Sequence, residues 1–361
     1  MSTTDRGKAT TGNYFEDLMP GREIVHATPR TLTEGDAAVY LAVTASRYPL
    51  FCDAEFARAL GFRRELIHDL LVFHTVFGNS VPDVSLNAIA NLGYADVRFG
   101  VLVYAGDTIT SRTKVLGWRE SSGGDTGVTW VHTAGVNQRG EEVLSYVRWV
   151  LMNKRDPSTK GGANEVPRTP ERVATEHLRV PPELDLARFD PVVTGGRWWW
   201  EDYEPGERVH HVEGVAVEEA EHQMAARLYQ NIARAHFNAY ALRDSRFGRR
   251  VVYGGHVIST AHALAFNGFE NVVRILAFNG GTHSNPTFAG DTLFAWTDVL
   301  ERIDLGRPDA GALRLRLVAV KNRDPATEEQ PFKVTDEGGR ERYDPNVVLD
   351  LDYTVLIPRA R

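Results

Sequence analysis

The chain has a single cysteine, Cys52, among 361 residues, which excludes an intramolecular disulfide and fits a reducing compartment. With no cationic neighbour close in sequence, that thiol is expected to be inert. There is no basic excess: 41 Lys and Arg stand against 48 Asp and Glu, a net charge of −7. That argues against a general nucleic-acid binder, which needs a basic face, though not against an anionic ligand met by a local arginine cluster. No apolar run approaches the ~18 residues of a membrane span. The opening MSTTDRGKATTGNYF lacks the apolar segment of a secretion signal. A cytoplasmic protein with neither nucleic-acid nor membrane partner is expected. Nucleotide-binding GxGxxG, P-loop, HExxH and paired CxxC motifs are missing as well, so no metal and no separate cofactor are expected.

What the chain does contain is one design written twice. Its length fits two domains at about 150 residues each. Glu16-Asp17 and Pro20-Gly21 recur as Glu201-Asp202 and Pro205-Gly206, 185 residues later. The same offset pairs His26 with His211, Glu34 with Glu219, Phe62 with Phe247 and Arg64 with Arg249. Ala105-Gly106-Asp107-Thr108 returns as Ala289-Gly290-Asp291-Thr292 at an offset of 184, so one loop differs by a residue. A period this long indicates duplicated domains, not a solenoid.

Each copy has the same order of elements. A short strand (residues 23–31 and 208–217) leads to a helix with an acidic start, Glu34 and Asp36 or Glu218 and Glu219, as a helix N-terminus prefers. A second helix, residues 66–77 and 255–266, is apolar almost all round and is therefore expected to be buried. Only strands follow. ALRLRLVAV (residues 312–320) alternates with the period of a half-buried strand. Residues 126–136 and 142–152 flank the hairpin signal Asn137-Gln138-Arg139-Gly140. A closing strand is expected over 346–358. An antiparallel sheet wrapped around one buried helix is a hotdog, so the fold class is α+β with two hotdog domains. They are expected over residues 14–153 and 198–359. The Pro- and Gly-rich stretch 154–197 links them, and Trp198-Trp199-Trp200 is read as an apolar lead-in to the second copy.

The stretch 227–259 carries the candidate chemistry. A polar and aromatic group (Tyr229, Asn231, His236, Asn238) is followed by the basic turn SRFGRR and then by Gly254-Gly255-His256, which opens the second buried helix. Backbone N–H groups at such a terminus can receive developing negative charge, and an imidazole can move a proton. Each feature also has a plainer reading. His236 could be a hydrogen-bonded core histidine and the glycines a tight lead-in to a crowded helix. Arg246, Arg249 and Arg250 could be solvated charges, and His283 and Asn285 could cap a strand.

The duplicated hotdog, the overhang ending in histidine and the AGDT strand start resemble the MaoC-like, (R)-specific enoyl-CoA hydratases. Closer matches are DLLVFHTVFG (69–78), VPDVSLNAIANLGYA (81–95), RLYQNIARAHFN (227–238), VYGGHVIS (252–259) and FAGDT (288–292). Together with His26-Ala27-Thr28-Pro29-Arg30-Thr31 these resemble the mesaconyl-CoA hydratases, also called β-methylmalyl-CoA dehydratases. The resemblance implies a hydro-lyase acting on a coenzyme A thioester, with coenzyme A part of the substrate, and a homodimer is expected. His236 falls on the family histidine, and its near-neutral titration would suit a proton moving in both directions.

Where the wider family has an aspartate five residues earlier, this chain has Asn231, which cannot act as a base and is assigned to orienting water. Gly254 and Gly255 are expected to hold the thioester oxygen. Tyr229, Arg234, Asn238, His256, His283 and Asn285 are expected to contact the acyl group, with Arg234 or His256 as the cation for a substrate carboxylate. Arg246, Arg249 and Arg250 are assigned to the coenzyme A phosphates. The first copy has Phe51 in place of His236 and Asp69 in place of Gly254, where a carboxylate would repel a developing enolate. It is therefore read as scaffold and tunnel wall. Two alternatives remain, a hydratase of another enoyl-CoA and a non-catalytic acyl-CoA-binding subunit.

Overall fold

The computed structural model describes residues 8–159, 162 and 164–360. The first seven residues of the stretch read for a targeting signal lie outside the described residues, as do Lys160, Gly161 and Ala163 of the expected connector.

The first half runs β1 (Glu23–Val25), β2 (Arg30–Thr31), α1 (Glu34–Thr44), α2 (Ala54–Ala59), α3 (Asp69–Ser80), β3 (Ala88–Phe99), β4 (Thr108–Glu120), β5 (Thr126–Val136) and β6 (Glu142–Asn153). After a short α4 (Pro191–Thr194) the second half runs β7 (Arg208–His210), β8 (Val215–Ala216), α5 (Glu219–Leu228), α6 (Arg234–Phe237), α7 (Ala239–Leu242) and α8 (Gly254–Leu264). It closes with β9 (Arg274–Thr282), β10 (Thr292–Ile303), β11 (Ala310–Lys321), a small ribbon of β12 (Lys333–Thr335) and β13 (Glu341–Tyr343), and β14 (Val347–Pro358). The ribbon is absent from the sequence expectation. No helix among the described residues is long and apolar enough to cross a membrane.

Apart from the β12–β13 ribbon, the strands form one twelve-stranded antiparallel sheet in the order β1-β4-β5-β6-β3-β9-β14-β11-β10-β7, with β2 paired beside β4 and β8 beside β10. Exchanging each strand for its repeat partner reverses this order onto itself. The repeat in the sequence is thus a pseudo-twofold axis in space, passing between β3 and β9. Those two strands pair antiparallel from Tyr94 opposite Gly281 to Arg98 opposite Ala277, so the two hotdog sheets share their backbone ladder.

Local chemistry explains where the elements start and stop. At the start of α1, Thr33 Oγ1 accepts the Asp36 N–H and Asp36 accepts the Thr33 N–H, at 3.1 and 2.8 Å, a reciprocal cap that satisfies two orphan donors. The strand expected over 23–31 is broken, because Thr28 adopts φ +69°. The break turns His26 inward to Thr113 Oγ1 at 2.6 Å and to Asp83 at 2.8 Å. Its repeat partner His211 does the same beside Val212, also at φ +69°, reaching Thr297 Oγ1 and the Asn267 carbonyl at 2.8 Å each.

All twelve residues of α3 are buried, as its near-continuous apolar run requires. Phe73 sits at its centre against Tyr94, Tyr146 and Phe278. The helix then widens into a π-type turn, Val81–Ser85, a local irregularity of the kind found at functional sites. The connector touches both halves: Glu165 exchanges backbone hydrogen bonds with Trp118, and the Val173 N–H donates to Asn279 Oδ1 at 2.9 Å. In the tryptophan lead-in, Trp200 Nε1 donates to the Ala312 carbonyl at 3.0 Å.

The two halves also meet where α3 passes the end of α5. A Cβ built on Gly78 would lie 1.8 Å from the Tyr229 carbonyl oxygen, so the helix fits there only without a side chain. Gly78→Ala must push that backbone away. It is expected to lower the unfolding free energy by about 1–3 kcal/mol and to reduce turnover, since residues 229–236 lead into the cavity described next. Wild-type stability in chemical denaturation together with wild-type turnover would contradict this packing.

Candidate active site

A cavity of about 320 Å³ opens between the two halves. From the second half it is lined by Asn231, His236, Gly254, His283 and Asn285, and from the first by Phe77, Ser85, Asn91, Tyr94 and Arg148. The overhang of α5 and α6 forms one wall. Gln230, at φ +54°, ends α5 and turns the chain so that Asn231 is buried. There Asn231 Oδ1 accepts the Ala233 N–H at 3.2 Å.

His236 is locked to the segment before α8 in two places. The Val251 N–H donates to the Ala235 carbonyl at 2.9 Å, and His236 Nδ1 donates to the Val251 carbonyl at 2.8 Å. That bond puts the proton on Nδ1 and leaves Nε2 with a free lone pair. The expectation of a near-neutral titration is corrected here. Burial outweighs the carbonyl hydrogen bond and pushes the imidazole down to about 4, because a charged ring would lose its hydration. At neutral pH the ring is an uncharged acceptor.

Gly254 opens α8, where the first N–H groups lie before the start of the intrahelical ladder. A Cβ on Gly254 would lie 2.5 Å from the His283 ring, so the glycine lets His283 lie against the helix N-terminus. His283 Nε2 is 3.3 Å from Tyr94 Oη, its Nδ1 has no partner among the described residues, and burial pushes it down to about 4. Gly255 does not line the cavity, and a Cβ there would meet the Tyr253 ring at 2.4 Å. Asn285 lines the cavity but commits its amide to the Asp344 and Val347 carbonyls, at 2.9 and 2.7 Å.

The remaining sequence candidates lie elsewhere. Tyr229 is fully buried behind the wall, against His74 and Tyr253. Arg234 and Asn238 are exposed, and Asn238 caps α7 through the Ala241 N–H. His256 faces away from the cavity, with its Nε2 2.9 Å from Glu221. Neither Arg234 nor His256 is therefore positioned as a cation for the acyl group. Arg250 is taken by Glu219. Arg246 and Arg249 are exposed, over the rings of Phe247 and Phe288, and Phe247 itself lines the cavity.

Tyr94, Asn91 and Arg148 are cavity residues that had no role in the sequence reading. Tyr94 and Asn91 sit within the matched stretch 81–95. Arg148 interrupts the apolar strand YVRWV, and a charge in so apolar a strand is the signal that could have marked it.

The corresponding place in the first half is closed. Phe51 lies tilted against His68, centroids 4.3 Å apart, as His236 lies beside Tyr253 in the second half. Asp69, in place of Gly254, accepts from Arg274 Nη2 at 2.7 Å and from the Ile275 N–H at 3.1 Å. The repulsion expected of a bare carboxylate is thus replaced by a buried ion pair, which fills the first-half site and ties it to β9.

Several histidines are held neutral by burial. His211 and His283 are pushed down to about 4 and His262 to about 3, and His68 and His74 are lowered too. The unfolded chain takes up these protons near pH 6.5 and the folded chain does so only well below that. Stability is therefore complete above 6.5 and is lost as pH falls toward 4, by up to ~1.4 kcal/mol per pH unit for each such group. The denaturation midpoint should drop markedly between pH 7 and 5; an unchanged midpoint would mean these rings are not buried neutral.

With the geometry in hand, the chain can be compared with known proteins. It matches the family model described as mesaconyl-CoA hydratase over residues 2–329. It is 52% identical to the β-methylmalyl-CoA dehydratase of Chloroflexus aurantiacus, over 98% of this chain and 99% of that one. It is 48% identical to the mesaconyl-CoA hydratase of Cereibacter sphaeroides, over 98% and 100%. A solved MaoC domain protein dehydratase from Chloroflexus aurantiacus superposes with a TM-score of 0.93 at 51% identity, over 98% and 100% of the two chains. A Mycobacterium tuberculosis protein described as a double hotdog gives a TM-score of 0.75 at 27% identity, over 96% and 98%. This chain belongs to the mesaconyl-CoA hydratase family and is a hydro-lyase with the double-hotdog, MaoC-like fold.

Proposed function

We propose that the protein reversibly hydrates mesaconyl-CoA (2-methylfumaryl-CoA) to β-methylmalyl-CoA. The observation that carries the reading is the pairing of a neutral His236, its proton fixed on Nδ1 by the Val251 carbonyl, with the open N-terminus of α8 in the same cavity. The names of the two curated relatives cited above support the substrate.

The thioester makes the β-carbon electrophilic. Asn231 orients a water beside it, and His236 Nε2 takes a proton from that water as the C–O bond forms. The electron pair of the double bond moves to the α-carbon and thioester oxygen, where the Gly254 N–H, at the positive end of the helix, stabilises the enolate. Gly255 supports that turn by its fit against Tyr253. The imidazolium then returns its proton to the α-carbon, leaving His236 neutral for the next cycle. The substrate brings its own carboxylate, which accounts for an amide at residue 231: a second carboxylate beside it would be repelled or forced to protonate. Arg246 and Arg249, on the turn whose Phe247 lines the cavity, are suited to the coenzyme A phosphates.

Purified protein mixed with mesaconyl-CoA should show loss of enoyl absorbance. Silence with that thioester but turnover of crotonyl-CoA would point to another enoyl-CoA, and binding without turnover to a non-catalytic subunit. His236→Ala should lower kcat by about 10²–10⁴-fold, and Asn231→Asp should slow turnover of mesaconyl-CoA by ~10-fold or more. An accelerated Asn231→Asp enzyme would refute the repulsion argument. As His236 must be unprotonated to begin, kcat/KM should stay level from pH 8 to about 5 and fall as the ring titrates at about 4. An acid limb centred near 6.5 would contradict the burial of this ring.

A further inference from the structure

Among the described residues two arginines are buried, and they are treated differently. Arg274 is 4% exposed and is paired with Asp69. Arg148 is 0% exposed, and no carboxylate among the described residues lies within ion-pair distance of it. Its neighbours are hydroxyls and a ring. Nη2 donates to Ser80 Oγ at 2.9 Å, and Nη1 and Nη2 reach Ser85 Oγ only at 3.5 Å. The guanidinium lies over the Phe77 ring, 4.1 Å from its centroid, and Nε has no partner among the described residues. A guanidinium cannot shed its charge, and burying it unpaired is costly. Such a group calls for an explanation.

Its position supplies one. Arg148 lines the cavity that holds His236 and Gly254, and two short chains of contacts connect it to them. Arg148 stands directly opposite Tyr94 in the β3–β6 ladder, Tyr94 Oη meets His283, and His283 lies against Gly254. On the other side Phe77 packs on Tyr253, centroids 5.4 Å apart, and Tyr253 on His236 at 5.5 Å. Asn91 lines the same cavity with both side-chain polar atoms buried and unpartnered.

We propose that Arg148, held by Ser80 and Ser85 and assisted by Asn91, is the receptor for a carboxylate at the far end of the acyl chain, and so selects dicarboxylic acyl thioesters over neutral ones. This deepens the reading above and rests on it. The first hotdog, with Phe51 in place of His236, then supplies substrate selection to the site in the second. The anion brought by the substrate completes a pair that the free protein leaves half made, with planar two-pronged hydrogen bonding that lysine cannot match.

The test compares hydration of 2-methylfumaryl-CoA with that of 2-methylbut-2-enoyl-CoA, in which a methyl replaces the carboxylate. In Arg148→Met the ratio of kcat/KM for the acid over the neutral thioester should fall by ~30-fold or more, the effect of removing one member of a buried charged pair. The melting temperature of the ligand-free variant should not fall, since an uncompensated charge has been removed. In Arg148→Lys, which keeps the charge and covers the case in which the methionine variant does not fold, the ratio should fall less but still by ~10-fold. An unchanged ratio in either folded variant would overturn the assignment. So would an equal loss on both thioesters with a lowered melting temperature, which would make Arg148 merely structural. A wild-type enzyme that leaves 2-methylfumaryl-CoA untouched would instead refute the substrate reading itself.

Discussion

The antiparallel pairing of β3 with β9 is the constraint on which the rest of the molecule depends. It joins two half-sheets through backbone hydrogen bonds and fixes the two buried helices, α3 and α8, on either side of a common axis. His74 of α3 and Ser259 of α8 are repeat partners, and they hydrogen bond to each other at 2.7 Å. The cavity lies in the seam this creates, so its walls come from both copies and neither half contains the site alone.

Within that near-symmetrical frame the side chains at equivalent places differ. The two helix starts are geometrically equivalent, yet one carries Asp69, neutralised by Arg274, and the other carries Gly254, open to the cavity. The same division separates Phe51 from His236. Burial then sets the character of the surviving imidazole: the desolvation that makes the core stable also keeps His236 uncharged, with its tautomer fixed by one carbonyl. The cavity brings together a helix N-terminus, a neutral ring and an unpaired guanidinium.

Much of this was legible in the sequence. The repeat gave the pseudo-symmetry, and the apolar run around Phe73 gave a buried helix. The substitutions of Gly254 by Asp69 and His236 by Phe51 distinguished the two halves. What escaped the reading was long-range. Arg148 lies some ninety residues before His236 in sequence, and only the fold brings it to the same cavity, so its lack of a partner could not be seen in a string of letters. His256 and Arg234 were plausible neighbours by proximity along the chain, but helix geometry turns one toward Glu221 and leaves the other in solvent. The titration of His236 could not be read either, because desolvation depends on the packing of residues far from it. The breaks at Thr28 and Val212 were hidden for a different reason, since a positive φ at a β-branched residue is held only by its surroundings.

The covalent union of the two hotdogs has an evolutionary consequence. In a dimer of identical single-hotdog chains, every substitution appears on both sides of the axis at once. An aspartate at one helix start would then oblige an aspartate at the other, and neither start would remain open. Linking the copies on one polypeptide lifts that obligation, so each half is free to drift toward a separate task.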